Sequence, residues 1–482
     1  MIQYLIIALC IAGFLNGIYV NHNVYNPSSL FFGYWAIVIS LTNLQLFGLY
    51  TVSQEAYGII FAGLLAVALG IALSSILSVG RPASKLTFQP KSNLSEIEFS
   101  SSYQISHVLP TSIPAAGSLS KETNATLSLF RPSAGTIRLL YVANIAISIY
   151  CLYILQTLVS MLLEGATWWT LRLAAASGEE DLFGSGATYL IYNFIMAPCM
   201  YLLIAVVVPL TILSRCPRSL LVFTLVSSLL FSVVTASRNV WVFIIIYCAL
   251  SLIIRQSWRR THLYSLTRIF RTRRAILAVL LVIIVSVIML LIITWLRNPD
   301  ADLLANAYVY ITGGIIVFDL QISSGPPNET LGGMYTLCGF LRPLFVVLHN
   351  LGIMDYPQAY LNALNLQASL ETFVSISGNF SMNAYSTIFY SFWLDGGLMG
   401  VITGSFLFGL ILQETYKRAN RGNSTAAIAL YMLLSQQIFF SVARAYTGLA
   451  TRALAFVYLA FIREDKNKSR TPYARQKQQL YG

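Results

Sequence analysis

Unbroken apolar runs of about twenty residues recur along the chain, separated by polar stretches. They fall at 2–20, 29–49, 57–78, 138–161, 188–214, 219–236, 239–254, 275–296, 398–413, 424–442 and 447–462. A helix needs about twenty residues to cross the hydrocarbon of a bilayer, so each run predicts a transmembrane helix. The strands of a transmembrane β-barrel would instead alternate apolar and polar over about ten residues. The expected fold is an all-α polytopic membrane protein of about 11–12 transmembrane helices, with residues 1–482 forming a single integral membrane domain. The first run has no basic leader and no small-residue cleavage site, which predicts a retained helix and not a cleaved signal peptide.

Composition narrows the class further. Of 482 residues, 57% are hydrophobic and 10% charged, where a soluble domain carries about a quarter charged. Water-soluble, disordered and collagen-like chains are thereby excluded. Cys10, Cys151, Cys199 and Cys248 lie inside apolar runs, Cys216 in a short turn and Cys338 in a long loop. No CxxC occurs, so neither a disulfide framework nor a zinc site is expected. HExxH, Walker and GxGxxG-helix motifs are also missing.

The basic residues predict orientation. Arg215 and Arg218, the seven arginines from Arg255 to Arg274, the Lys417–Arg418–Arg421 cluster and the tail 463–482 all fall on one side of the alternating spans. The positive-inside rule makes that side cytoplasmic. The Ser/Thr/Pro-rich stretch 79–137 shares it and reads as a flexible insert. Sorted this way, the cytoplasmic side holds 24 of the 30 bases and 6 of the 18 acids. The basic balance therefore reports topology and does not point to nucleic acid. Every lysine is inside, whereas the six outer bases are all arginine: Arg172, Arg238, Arg297, Arg342, Arg444 and Arg452.

Arginine's planar fork grips phosphate oxygens in pairs and stays charged when desolvated. On an otherwise acidic outer face such residues suit a lipid-linked pyrophosphate, although each could equally pair with a carboxylate or reach the headgroups. Arg452 falls inside a predicted span eight residues after Arg444, which places both on one helix face. Two outer loops stand out. The loop 162–187 combines Trp168, Trp169 and Arg172 with Glu179, Glu180 and Asp181; its tryptophans could anchor at the interface or stack on sugars. The loop 297–397 is too long for a connector and too apolar for disorder, so it should be structured. Within it, 307–322 is apolar but short, and predicts a re-entrant or interfacial helix. His349 is the outer histidine. Asp395, before Gly396 and Gly397, could cap the helix that follows or accept a sugar hydroxyl.

The order of elements resembles that of the Wzy-type O-antigen and capsule repeat-unit polymerases. The resemblance is carried by NPSSLFFGYW at 26–35, TASRNVW at 235–241, YITGGIIVFD at 310–319, GGMYTLCGFLRP at 332–343 and NAYSTIFYSFWLDGGLMG at 383–400. The last stretch supplies Asn383, Tyr385, Ser386 and Thr387, then an acid and paired glycines before a span. The resemblance implies a GT-C-like glycosyltransferase of the bacterial inner membrane, related to O-antigen ligases and independent of metal. It would transfer a glycan from undecaprenyl pyrophosphate onto a second lipid-linked repeat unit at the periplasmic face. Some members begin an Arg-x10-Gly pattern in each of two periplasmic loops. Arg172 precedes Gly184 by eleven intervening residues, and Arg297 precedes Gly313 by fifteen, so both fit loosely.

The residues themselves suggest compatible chemistry. The leaving diphosphate gathers charge that arginines can stabilise without a metal or cofactor. The candidate catalytic residues are Arg172, Arg297, His349 and Asp395. Substrate contacts are expected from Arg238, Arg342, Arg444, Arg452, Asn383 and Tyr385. His349, Asp395, Glu179, Glu180 and Asp181 are the candidate bases for the acceptor hydroxyl. A groove between helices would take the lipid tail, and a chain-length regulator is a possible partner. Two other functions fit: an O-antigen ligase delivering glycan to lipid A-core, or a flippase for the same lipid-linked glycan. Transporters tend to show internal repeats, and none is visible here.

Overall fold

A computed structural model describes residues 2–79, 132–177, 180–214, 216–260, 269–297, 302–323, 325, 329–383, 385–420 and 424–464. Most of the 79–137 insert and of the basic tail, with Glu179, lies outside these residues, and the side chains of Glu180 and Arg297 are likewise not described. A helix stands at each of the eleven predicted spans. They are α1 (Ile2–Asn21), α2 (Pro27–Asn43), α3 (Gln54–Val79), α4 (Ala134–Leu163), α6 (Gly186–Leu213), α7 (Arg218–Val234), α8 (Asn239–Arg260), α9 (Ile269–Arg297), α13 (Thr387–Asn420), α14 (Thr425–Phe439) and α15 (Ala450–Phe461). Between them run α5 (Trp168–Ser177), α10 (Leu303–Ser323), α11 (Met334–Asn350), α12 (Gln358–Ser369) and a small antiparallel pair, β1 (Val374–Ser375) with β2 (Ser381–Met382). Eight of the described helices, α10 included, are long and apolar enough to cross a membrane. The chain is an all-α, multi-pass membrane protein.

Local sequence fixes several helix starts. The side chains of Asn26, Ser133, Ser185 and Ser424 each accept a hydrogen bond from the N–H three residues on, satisfying a donor that the first turn would otherwise leave open. Pro27 follows Asn26 at the first helical position, where its missing N–H costs nothing. Burial then distinguishes the helices. Every residue from Tyr201 to Leu210 of α6 is buried, so α6 is the central post. α1 and α4 expose Leu5, Leu15, Val142 and Ile149, the outward apolar surface expected of lipid-facing helices.

The loops separate to two ends. At the basic end, Ser133 N donates to Arg463 O, Glu464 accepts from Thr425 N, and Tyr25 donates to Asn420. At the opposite, large-loop end, Leu49 pairs with Ser377, and Arg238 meets Thr294 and Tyr310. At 21 residues α10 is longer than the sequence suggested, yet it lies across this end. Tyr308 donates to Leu41 O at the close of α2, while Asp319, eleven residues on, accepts from Ser53 at the start of α3.

Two predicted spans differ in form. α13 begins eleven residues before the expected 398 and is broken at Gly396 and Gly397, the latter with φ +58°. Phe392 packs against Gly404 across the break, so the half 387–395 folds back on the half 398–420. The second half runs beside α3 at very short range. A Cβ on Gly70 would stand 2.1 Å from Phe406 O, so only glycine permits the contact. The expectation that Arg444 and Arg452 share one helix fails: α14 stops at Phe439, and the buried segment 440–449 is largely irregular before α15 begins.

Candidate functional site

The irregular segment 440–449 and the start of α15 bring arginines under the large-loop end. Arg444 is buried, and its Nη2 lies 2.8 Å from Glu371 Oε1. Glu371 meets its charge, and Tyr335 and Tyr446 lie close by. Gln437 fixes the backbone on either side: its Nε2 donates to Arg444 O at 2.8 Å, and its Oε1 accepts from Tyr446 N at 2.8 Å.

Arg452 is 6% exposed. Its guanidinium carbon stands 3.3 Å from the ring centre of Tyr201 on α6, 4.5 Å from Phe243 on α8 and 5.0 Å from Tyr446. Nη1 has no hydrogen-bond partner among the described residues. Ring faces attract a cation but do not neutralise it. No carboxylate pairs with Arg452 among the described residues.

Arg238 completes the group from the α7–α8 junction. Its Nη1 donates to Thr294 at 2.9 Å, its Nη2 donates to Tyr310 at 2.6 Å, and it lies 5.0 Å from that ring's centre. Tyr310 packs edge-on to Tyr385, with centroids 5.6 Å apart. Tyr385 in turn feels Tyr446, Arg238 and Arg444. Tyr446 faces the charges of both Arg452 and Arg444. Strained backbone borders the cluster: Ala236 has φ +44° and the β-branched Thr387 has φ +68°.

The arrangement thus joins Arg238, Arg444, Arg452 and Tyr385. Arg172, on α5, adjoins through Tyr192, which feels both its charge and that of Arg452. Asn383 donates to the backbone of Glu371 at 2.9 Å. Other candidates fall elsewhere. Arg342, on α11, lies near Cys338 and Tyr360. His349 is exposed at the end of α11 and stacks on Tyr356, centroids 4.1 Å apart. Asp395 does cap a helix, but not the one expected: its two oxygens accept from Tyr335 N at 2.8 Å and Thr336 N at 3.0 Å, at the start of α11. With both oxygens so engaged, it is a structural cap. Sequence reasoning missed Tyr201, Phe243, Tyr310, Glu371, Gln437 and Tyr446. A signal existed only for Glu371, an acid in the loop that also holds Asn383.

Comparison with protein-family models, curated proteins and solved structures returns no match to this chain.

Proposed function

We propose that this protein is a metal-independent glycosyltransferase. It polymerises undecaprenyl-pyrophosphate-linked repeat units at the periplasmic face of a bacterial inner membrane. The observation that carries the reading is the buried Arg452, ringed by Tyr201, Phe243 and Tyr446, with Arg444 and Arg238 linked to it through Tyr446 and Tyr385. Charge develops on the leaving diphosphate as its bond to the anomeric carbon stretches. Guanidinium groups already fixed in a dry, aromatic-lined site stabilise that charge without reorganising. The Tyr310 and Tyr385 hydroxyls, in packed rings next to Arg238, suit sugar or phosphate oxygens. An O-antigen ligase would use the same donor chemistry with lipid A-core as acceptor.

One observation favours a transporter of the same lipid-linked glycan: the helix breaks at Gly396–Gly397 and at 440–449 resemble the discontinuous helices that line transport sites. Disruption of the gene tests the reading directly. A polymerase loss leaves single repeats on lipid A-core. Accumulated full-length lipid-linked polymer identifies a ligase, and loss of all surface glycan identifies a flippase.

A further inference from the structure

We propose that Glu371 is the base that takes the acceptor hydroxyl's proton, and that its ion pair with Arg444 withholds it until a donor diphosphate engages that guanidinium. The proposal rests on the glycosyl-transfer reading. Three other carboxylates at this end are committed to structure. Asp302 caps α10 through Leu304 and Ala305, Asp319 binds Ser53, and Asp395 caps α11. Among the described residues, Glu371 is the carboxylate that touches the arginine cluster.

Its position suits the role. The Glu371 side chain is 49% exposed while that of Arg444 is 9% exposed, so the carboxylate stands at the mouth with the cation beneath it. The backbone around it is anchored. Asn383 holds its carbonyl, and Phe373 packs against Trp169 of the first loop, centroids 5.8 Å apart. The carboxylate can therefore swing without moving the loop. A diphosphate outcompetes it for Arg444 because it offers more charge and a bidentate face. The acceptor oxygen then forms its bond to the donor's anomeric carbon. The bond from that carbon to the diphosphate breaks, its electron pair leaves with the diphosphate toward Arg444 and Arg452, and the hydroxyl proton passes to Glu371.

The test pairs Glu371→Gln and Glu371→Ala, expressed in cells lacking the chromosomal copy. Surface-glycan length reports extension, and undecaprenyl pyrophosphate binding is measured on the purified protein. E371Q should bind undecaprenyl pyrophosphate at least as tightly as wild type, having lost a competitor, but extend at least about 100-fold more slowly. Formate should restore extension to E371A. Wild-type length in E371Q refutes the base and leaves glycosyl transfer standing. Loss of binding together with extension makes Glu371 only a structural partner of Arg444, and also refutes it. A wild-type protein that does not bind undecaprenyl pyrophosphate removes the glycosyl-transfer reading and the base with it.

Discussion

Replacing Arg452 by methionine separates a receptor for negative charge from a structural cation. Burying an ion costs several kcal/mol even after relaxation. Against that, a desolvated cation–ring contact returns about 2 kcal/mol, so the two nearer rings, Tyr201 and Phe243, offset roughly 4 kcal/mol. The two amounts nearly cancel, and Nη1 adds no hydrogen bond among the described residues. Methionine has a similar length, no charge to desolvate, and a sulfur that packs well on aromatic rings. Arg452→Met should therefore change stability by no more than about 1 kcal/mol in either direction, while chain extension is lost. Thermal unfolding in detergent micelles and surface-glycan length read the two quantities separately. Wild-type length in R452M would refute the receptor role. A loss of stability above roughly 3 kcal/mol would show that the cation holds the helices together. Arg452→Lys should also fail to extend, because a point charge does not reproduce the planar fork between the rings.

Three further outcomes follow from the geometry. Asp395→Ala leaves the Tyr335 and Thr336 N–H groups unmet and should cost about 2–5 kcal/mol, whereas Asp395→Asn keeps an acceptor, costs about 1 kcal/mol and preserves extension; thermal unfolding and hydrogen exchange at residues 335–336 measure both. Gly314→Ala would place a Cβ 1.8 Å from Val442 O, forcing α10 off the 440–449 segment, so G314A should lose extension while the unobstructed Gly378→Ala does not. His349→Ala should leave glycan length unchanged, since its exposed ring meets only Tyr356 among the rings described.

The helices were legible because bilayer thickness dictates the length of each apolar run, and because cap residues such as Ser133 and Ser424 stand where polarity changes. Three members of the cluster were legible through charge: sorting the bases by side isolated six arginines, of which Arg238, Arg444 and Arg452 converge. The aromatic partners were not. A tyrosine such as Tyr201 inside an apolar run looks like any interfacial or core tyrosine, and only the packing of α6 on α15 turns its face to a cation. Asp395 shows the same limit. Its neighbours Gly396 and Gly397 announce a break, but a cap can serve a distant helix as well as its own, and nothing local chooses α11. The stretch 387–397 reads as loop in the sequence because its helix is short and folded back, a geometry that hydrophobic run length cannot express.

The depth of the arginines follows from the lengths of the helices that carry them. α14 has 15 residues and α15 spans Ala450–Phe461, so they rise about 22 and 18 Å, short of a hydrocarbon core about 30 Å thick. Both have an end at the basic side, through Thr425 and Ile462–Glu464, so the segment 440–449 that joins them stops beneath the opposite surface. Ser441 accepts there from Trp35, midway along α2. Irregular backbone at that depth survives only if protein satisfies its polar groups. The start of α13 does so: Ser386 N donates to Ala443 O and Ile388 N to Ser441 O, while Ser391 Oγ accepts from Ala445 N. The open N–H groups of one broken helix thus complete the open carbonyls of another. Gln437 supplies the remaining pair, which makes it the test of the arrangement. Gln437→Leu removes both hydrogen bonds around Arg444 and should release the 440–449 segment, raising hydrogen exchange at residues 444–446 and abolishing undecaprenyl pyrophosphate binding. Unchanged exchange in Q437L would show that the platform is held by packing alone.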